Sequence, residues 1–401
     1  MRLCNIAWTS GAVPPDRQTG VVVPLFKKGD RRMRSKSRGI SLMSRPGKVY
    51  SGVLERRVRR IVEPQIQEEQ CGFCPGRGTL DQLYTLRGIL EGAWEFAQPV
   101  YMCFVDLEKA FDRVPWGALW GVLREYGVPG PLIRAVRSLH DRCQSLVRVA
   151  GSKSGSFPVR VGLHQGCPLS PILFITFMDR ISRCSQDVEG IHFGGLRIRS
   201  LLFADDLVLL ASSECDLQLS LERFAAECET AGMRISSSKS ETMVLIQKRV
   251  ECLLRVRDEV LPQVEEFKYL RVLFMSEGKL EREIDRRIGA ASAVMRAFYR
   301  SVVVKRELSQ KAKLSVYRSI YVPTLTYGHE LWVVTKRTRL RIQAAEMSFP
   351  RRVAGLSLRD RVRSSVIREG LGVDPLLLHM AEEPVEVAWA SGQDASWTSP
   401  W

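Results

Sequence analysis

Residues Arg199–Ser212 read RSLLFADDLVLLAS, two apolar runs with a pair of adjacent carboxylates between them. Leu201–Ala204 and Leu207–Ala211 are too short for helices and fit two strands meeting at a tight turn. Asp205-Asp206 is poor chemistry for a hairpin tip, where Asn-Gly or Asp-Gly is favoured. Two like charges against apolar walls also raise a carboxylate pKa unless a positive charge compensates. A divalent cation with hard oxygen ligands is the simplest compensation. Taken alone, the segment fits an exposed acidic turn at least as well.

A second segment constrains the first. Val100–Asp112, VYMCFVDLEKAFD, is a buried-strand run that ends on Asp106, with Pro115 placed early in a following helix. If this strand lies beside the hairpin in one sheet, Asp106, Asp205 and Asp206 converge. Three carboxylates at one sheet edge can hold two Mg2+ ions ~3.5–4 Å apart for in-line phosphoryl transfer.

Phe203–Asp206, FADD, and Phe104–Asp112, FVDLEKAFD, resemble the two catalytic motifs of reverse transcriptases. The chain resembles the polymerase of non-LTR (LINE-type) retrotransposons of vertebrate genomes from about Thr19 to about His379, with its motifs in family order. The resemblance implies an α+β right-hand polymerase with fingers, an antiparallel-sheet palm and a helical thumb. It implies fingers over 19–98, palm over 99–258, primer grip and thumb over 259–350, and a connector over 351–379; residues 1–18, with little periodicity and a Pro14-Pro15 break, read as a loosely ordered leader. The implied reaction is RNA-directed DNA synthesis from a primer 3′-hydroxyl with dNTPs and two Mg2+. Asp106 and Asp205 are then the principal metal ligands and Asp206 a supporting one. The implied partners are an RNA template and a DNA primer or target-site DNA. The implied location is the nucleus and a cytoplasmic ribonucleoprotein.

Charge and composition agree with that expectation. The 401 residues are 45% hydrophobic and 26% charged, an ordinary globular balance, and the length suits two or three subdomains. The net charge of +16 points to a phosphate backbone, with binding that weakens steeply in salt. Ten scattered cysteines suit a reducing compartment, and Cys71-x-x-Cys74 lacks the second pair of a zinc site. No apolar signal segment or membrane-length run occurs, so a soluble intracellular protein is expected.

Along the chain, Val21–Phe26 reads as a strand leading into Lys27-Lys28-Gly29-Asp30 and a basic stretch to Arg38. Such a cluster fits a solvated loop or a triphosphate site; by resemblance Lys27 or Lys28, and Arg38, lie near the incoming nucleotide. Gly47–Gln70 is helix-like, with Val49, Val53, Leu54, Val58 and Ile61 on one face. Glu69–Leu83 resembles a fingers block in which Cys74 stands where relatives carry Arg. By resemblance Phe111 closes against the sugar 2′ position and selects deoxynucleotides; by pattern it is a core phenylalanine. Gln165-Gly166 opens the block before an apolar helix, and in the family this loop lies under the template and nascent base pair. Asp216–Gly232 reads as a helix with Leu217, Leu221, Phe224 and Cys228 inward.

By resemblance Lys239 lies near the pyrophosphate, as a proton donor or a neutralising charge. Lys268-Tyr269-Leu270 matches the primer grip, but Arg271 replaces its glycine and is costly if the position needs positive φ. Glu281–Arg300 and Leu340–Phe349 read as basic helices that fit a plain helical bundle or a thumb equally, the second ending or kinking at Pro350. After Met380 the chain has no lysine or arginine, four acids and three tryptophans, and is expected to be disordered. Cys74, Arg271, Pro350 and this tail keep open a decayed copy that binds nucleic acid without polymerising. An RNA-templated RNA polymerase would share the metals, and Phe111 argues against it.

Overall fold

The structure is a computed structural model describing residues 5–6, 8–9, 19–27, 29–30, 32–33, 36–185, 189–193, 195–246, 250–278 and 280–376. Most of the expected leader, Lys28 and the whole segment after Met380 lie outside the described residues. The chain forms two compact units: residues 1–82, 97–244 and 248–264 make the first, and 83–96, 245–247 and 265–401 the second.

The first unit is built on two sheets. Strands β1 (Thr19–Phe26) and β2 (Ser37–Leu42) form an antiparallel pair with Val23 opposite Ile40 and Leu25 opposite Arg38. Helix α1 (Arg45–Val62) starts where the Ser44 hydroxyl accepts the Gly47 N–H and Pro46 sits in the first turn. Its buried stripe is Tyr50, Leu54, Val58 and Val62, whereas Val49 is 62% exposed. The expected stripe of Val49, Val53, Leu54, Val58 and Ile61 is thus corrected at Val49, whose place inside is taken by Tyr50, because the larger ring buries more area.

The second sheet has strand order β7-β3-β6-β5, from β3 (Val100–Val105), β5 (Ser200–Phe203), β6 (Asp206–Ala211) and β7 (Glu241–Leu245). Strand β4 (Gln144–Val149), by contrast, runs parallel to β1 in the first sheet. β6 is antiparallel to β3, with Leu207 opposite Val105, and antiparallel to β5, with Asp206 opposite Phe203. The near-continuous apolar runs of β3 and β6 follow from their position inside the sheet, where both faces are covered. Helix α2 (Trp116–Glu125) begins after Pro115, which is its N-cap, and α3 (Gly130–Ser138) begins in the same way after Pro129. The apolar helix α4 (Ser170–Cys184) is buried along most of its length. Helix α5 (Glu214–Thr230) is capped by Ser213 and buries Leu217, Leu221, Phe224 and Cys228, the face expected from its period.

The second unit holds the hairpin of β8 (Glu266–Tyr269) and β9 (Val272–Met275) and a helical core. In α6 (Glu281–Phe298) the buried side includes Ile284, Ala291 and Met295, but also Glu283 and Arg287. Helix α7 (Lys336–Val353) runs through Pro350 to Val353, so the expected stop at that proline is corrected. Pro350 falls in the last turn, where little helix remains to be disrupted, and its own carbonyl accepts the Ala354 N–H. Glu346 of α7 is fully buried and bonds Arg368 of α8 (Ser364–Leu371) at 2.7 Å. Among the described residues, no helix is long and apolar enough to cross a membrane.

Candidate active site

The register of β3, β6 and β5 determines where the carboxylates emerge. β3 ends at Val105, opposite Leu207, so Asp106 leaves the strand beside the start of β6. The hairpin tip is Ala204-Asp205, not Asp205-Asp206, because Asp206 already pairs with Phe203. Ala204 has φ +60°, a left-handed conformation that costs an L-residue about 1–2 kcal/mol. A buried group holds it there: the Gln70 side-chain oxygen accepts the N–H of Ala204 at 2.9 Å and that of Gly72 at 2.8 Å.

The Gln70 segment is joined to the hairpin through its backbone. Cys71 N–H donates to the Leu202 carbonyl and Leu202 N–H to the Glu69 carbonyl, each at 2.9 Å, in a parallel bridge on the outer edge of β5. A Cβ on Gly72 would lie 2.3 Å from the Ala204 nitrogen, so only glycine fits. The Glu69–Leu83 block, which resembles a fingers element, thus begins as a brace for the turn that carries Asp205. Cys74, the departure from the family pattern, is buried and its thiol donates to the Gln70 carbonyl at 3.4 Å. No signal within the sequence marked Gln70 and Gly72 as a brace, because their partner lies 134 residues away.

The charges at this corner are unbalanced. Asp206 is open to solvent, yet the protein mass around it, with the negative charges of Asp205 and Asp106, pushes its carboxyl up to about 6. Lys239 answers from the far side: its Nζ donates to Asp106 Oδ1 at 2.9 Å. The loop delivering it is pinned to the end of β3, since Ser236 N–H donates to the Asp106 carbonyl at 2.8 Å and Asp106 N–H to the Ser240 hydroxyl at 3.1 Å. Hard oxygen donors with uncompensated negative charge suit Mg2+ by chemistry. Among the described residues, no three such ligands are already gathered as a metal cage.

The second cluster forms between β2 and the 162–166 loop. Arg38 Nε donates to Gln165 Oε1 at 2.6 Å, and Gln165 Nε2 donates to Asp112 Oδ1 at 3.2 Å. Ser41 N–H donates to the Gln165 carbonyl at 2.7 Å, and a Cβ on Gly166 (φ +116°) would lie 2.7 Å from the Ser41 carbonyl oxygen. Arg38, Gln165 and Gly166 are therefore one group, with Asp112 as a member the sequence did not suggest. Lys27 is exposed past the end of β1, its N–H donating to the Lys36 carbonyl at 2.8 Å. Phe111 is 8% exposed; its ring stacks on Phe174 at 4.1 Å and meets Phe73 edge-on at 6.4 Å.

In the second unit, Tyr269 is buried and Lys268 is exposed, with its pKa lowered by burial and by Arg286 and Arg287. Leu270 (φ +42°) and Arg271 (φ +69°) form the turn between β8 and β9. The position therefore does demand the conformation that glycine adopts freely. Three anchors hold it: Tyr327 hydroxyl donates to the Leu270 carbonyl at 2.9 Å, Arg286 and Arg287 donate to the Arg271 carbonyl, and the Leu273 N–H reaches Glu283 at 3.0 Å.

The fold is of α+β architecture, with this carboxylate corner at one end of its central antiparallel sheet. The chain belongs to the reverse transcriptase (RNA-dependent DNA polymerase) family, whose model matches residues 26–274. It is 24% identical over 81% of its length to the Pol polyprotein of the type-2 retrotransposable element R2DM of Drosophila melanogaster, spanning 31% of that protein. It is 26% identical over 85% of its length to the probable RNA-directed DNA polymerase of transposon X-element from the same fly, spanning 38% of that protein. The chain thus covers well under half of these relatives. A telomerase from Candida albicans, solved with a fragment of telomeric RNA, shares the fold with TM-score 0.51 at 10% identity, over 92% of this chain and 67% of that one.

Proposed function

We propose that this chain extends a primer 3′-hydroxyl with deoxynucleoside triphosphates on an RNA template. The observation that carries the reading is the convergence of Asp106, Asp205 and Asp206 on one corner of the β3-β6-β5 sheet, where the surrounding protein, together with the charges of Asp205 and Asp106, raises the Asp206 carboxyl. Asp106 and Asp205 would hold two Mg2+ ions, supported by Asp206. When bound, these ions supply Lewis acidity at the primer hydroxyl and neutralise charge at the leaving pyrophosphate. Lys239 holds a proton at Nζ next to the site and can donate it toward the leaving group. Arg38, with Lys27 or Lys28, would bind the triphosphate, and Gln165-Gly166 would lie under the base pair. Phe111 would close off the 2′ position, and Lys268, Tyr269 and Leu270 would hold the primer.

In this reading fingers occupy 19–98, palm 99–258, and primer grip and thumb 259–350, followed by a connector. An RNA template, with a primer or target-site DNA, is bound by a chain of net charge +16. Work in the nucleus, after assembly of a cytoplasmic ribonucleoprotein, suits these partners. A second reading, a copy that binds nucleic acid without turnover, is favoured by Arg271 in its left-handed turn.

Primer extension on an annealed RNA template, with dNTPs and Mg2+, separates the two. Extension lost on Asp205→Ala/Asp206→Ala supports the polymerase. Folded wild-type protein that binds the duplex in a salt-sensitive way but never extends the primer supports the second reading.

A further inference from the structure

Gln165 sits between two groups of opposite hydrogen-bonding character. Arg38 can only donate, and an ionised Asp112 can only accept. A side chain bridging them must offer an acceptor to one and a donor to the other, and a carboxamide does both. The contacts run that way: Arg38 Nε to Gln165 Oε1 at 2.6 Å, then Gln165 Nε2 to Asp112 Oδ1 at 3.2 Å. Chemistry alone thus dictates the orientation of the amide. A Gln165 amide turned over would point its NH2 at a guanidinium and its oxygen at a carboxylate.

The backbone makes this spacing reproducible. Leu163 N–H donates to the Phe111 carbonyl at 2.7 Å, and Gly162 N–H to the Val114 carbonyl at 2.9 Å. The Trp116 indole donates to the Gly162 carbonyl at 2.8 Å. Gly162 has φ +88°, and a Cβ there would lie 2.5 Å from the Asp112 carbonyl oxygen, so the loop approaches Asp112 closer than any other residue would allow. On its other side the loop is tied to β2 through Ser41.

We propose that Asp112 is a positioning residue for the incoming nucleotide, acting through Gln165 to hold the Arg38 guanidinium in place for the triphosphate. Arg38 spends Nε on Gln165, not the terminal amino groups that form a fork toward phosphate. Asp112 touches no reacting atom in this arrangement. Its carboxylate keeps the amide oxygen of Gln165 turned toward the arginine. This inference rests on the polymerase reading above.

The test is single-nucleotide extension on an RNA template, with kcat and the dNTP KM measured separately. Asp112→Ala should raise KM about tenfold or more, as expected for loss of a hydrogen bond to a charged group, and change kcat less. Asp112→Asn should remain near wild type, because its Oδ1 still accepts from Gln165. Gln165→Glu should raise KM by placing two carboxylates together, and adding Asp112→Asn should recover it, since the new amide donates to Glu and the Glu still accepts from Arg38. A merely structural aspartate would not produce that recovery. Unchanged KM in Asp112→Ala, or no recovery in the double variant, overturns the proposal. If the wild type does not extend at all, the polymerase reading fails instead. The same four proteins are then titrated with a fluorescent dNTP: the same order in Kd supports the relay, and equal Kd values overturn it.

Discussion

Lys239 Nζ lies 2.9 Å from Asp106 Oδ1, a lysine paired with a carboxylate proposed above as a metal ligand. The two side chains are 63% and 42% exposed, so the pair adds little to stability. Its effect should fall on the reaction. Lys239→Met should leave the unfolding midpoint unchanged and slow extension about 10²-fold, the usual size of a lost general acid. It should also lower the Mg2+ concentration for half-maximal rate, because Asp106 is no longer neutralised. A midpoint shift without a rate change would show the lysine to be structural.

The turn that carries Asp205 depends on Gln70. Gln70→Leu removes the acceptor for two buried N–H groups, Ala204 and Gly72, and should cost about 2–4 kcal/mol of stability. Gln70→Glu keeps an acceptor at the same place and should retain more of the fold. Denaturant titration with extension kinetics checks both. Equal stability of Gln70→Leu and wild type would show that the turn holds without its brace.

Arg271 occupies φ +69° in the turn between β8 and β9. Arg271→Gly relieves the left-handed strain but gains freedom in the unfolded chain, so a net stabilisation of up to about 1 kcal/mol is expected. The anchors from Arg286 and Arg287 reach a backbone carbonyl and survive the substitution. Thermal unfolding measures the gain, and a lower midpoint would mean that the arginine side chain itself contributes to the turn.

His140 is buried against Trp116, Trp120 and His164, and its Nδ1 pairs with the Val136 carbonyl at 3.0 Å. Burial lowers its pKa from 6.5 to about 4. The folded state therefore holds fewer protons than the unfolded chain between those values. Stability is complete above the unfolded pKa and is lost as pH falls from 6.5 toward 4, by about 3 kcal/mol at most. His140→Phe should flatten unfolding free energy across that window. An unchanged pH slope in the variant would place the acid sensitivity elsewhere.

Local pattern determined a good deal. The strand ending at Asp106, the two short strands around Ala204-Asp205 and the inward face of α5 were legible because period and strand length are properties of neighbouring residues. The pairs that build the site were not. Gln165 meets Asp112 across 53 residues and Gln70 meets Ala204 across 134, and such partners are chosen by sheet order and loop path. Glu346 with Arg368, 22 residues apart, was hidden for the same reason; Glu283 and Arg287 are one helical turn apart, and what the pattern did not show was that they are buried. A charged residue on a helix reads as a solvated face until folding supplies the opposite charge that offsets its desolvation. Sequence by itself named the carboxylates and the strands that carry them; only the tertiary structure decided which donors and acceptors hold them in place, because a hydrogen bond depends on distance in space and not along the chain.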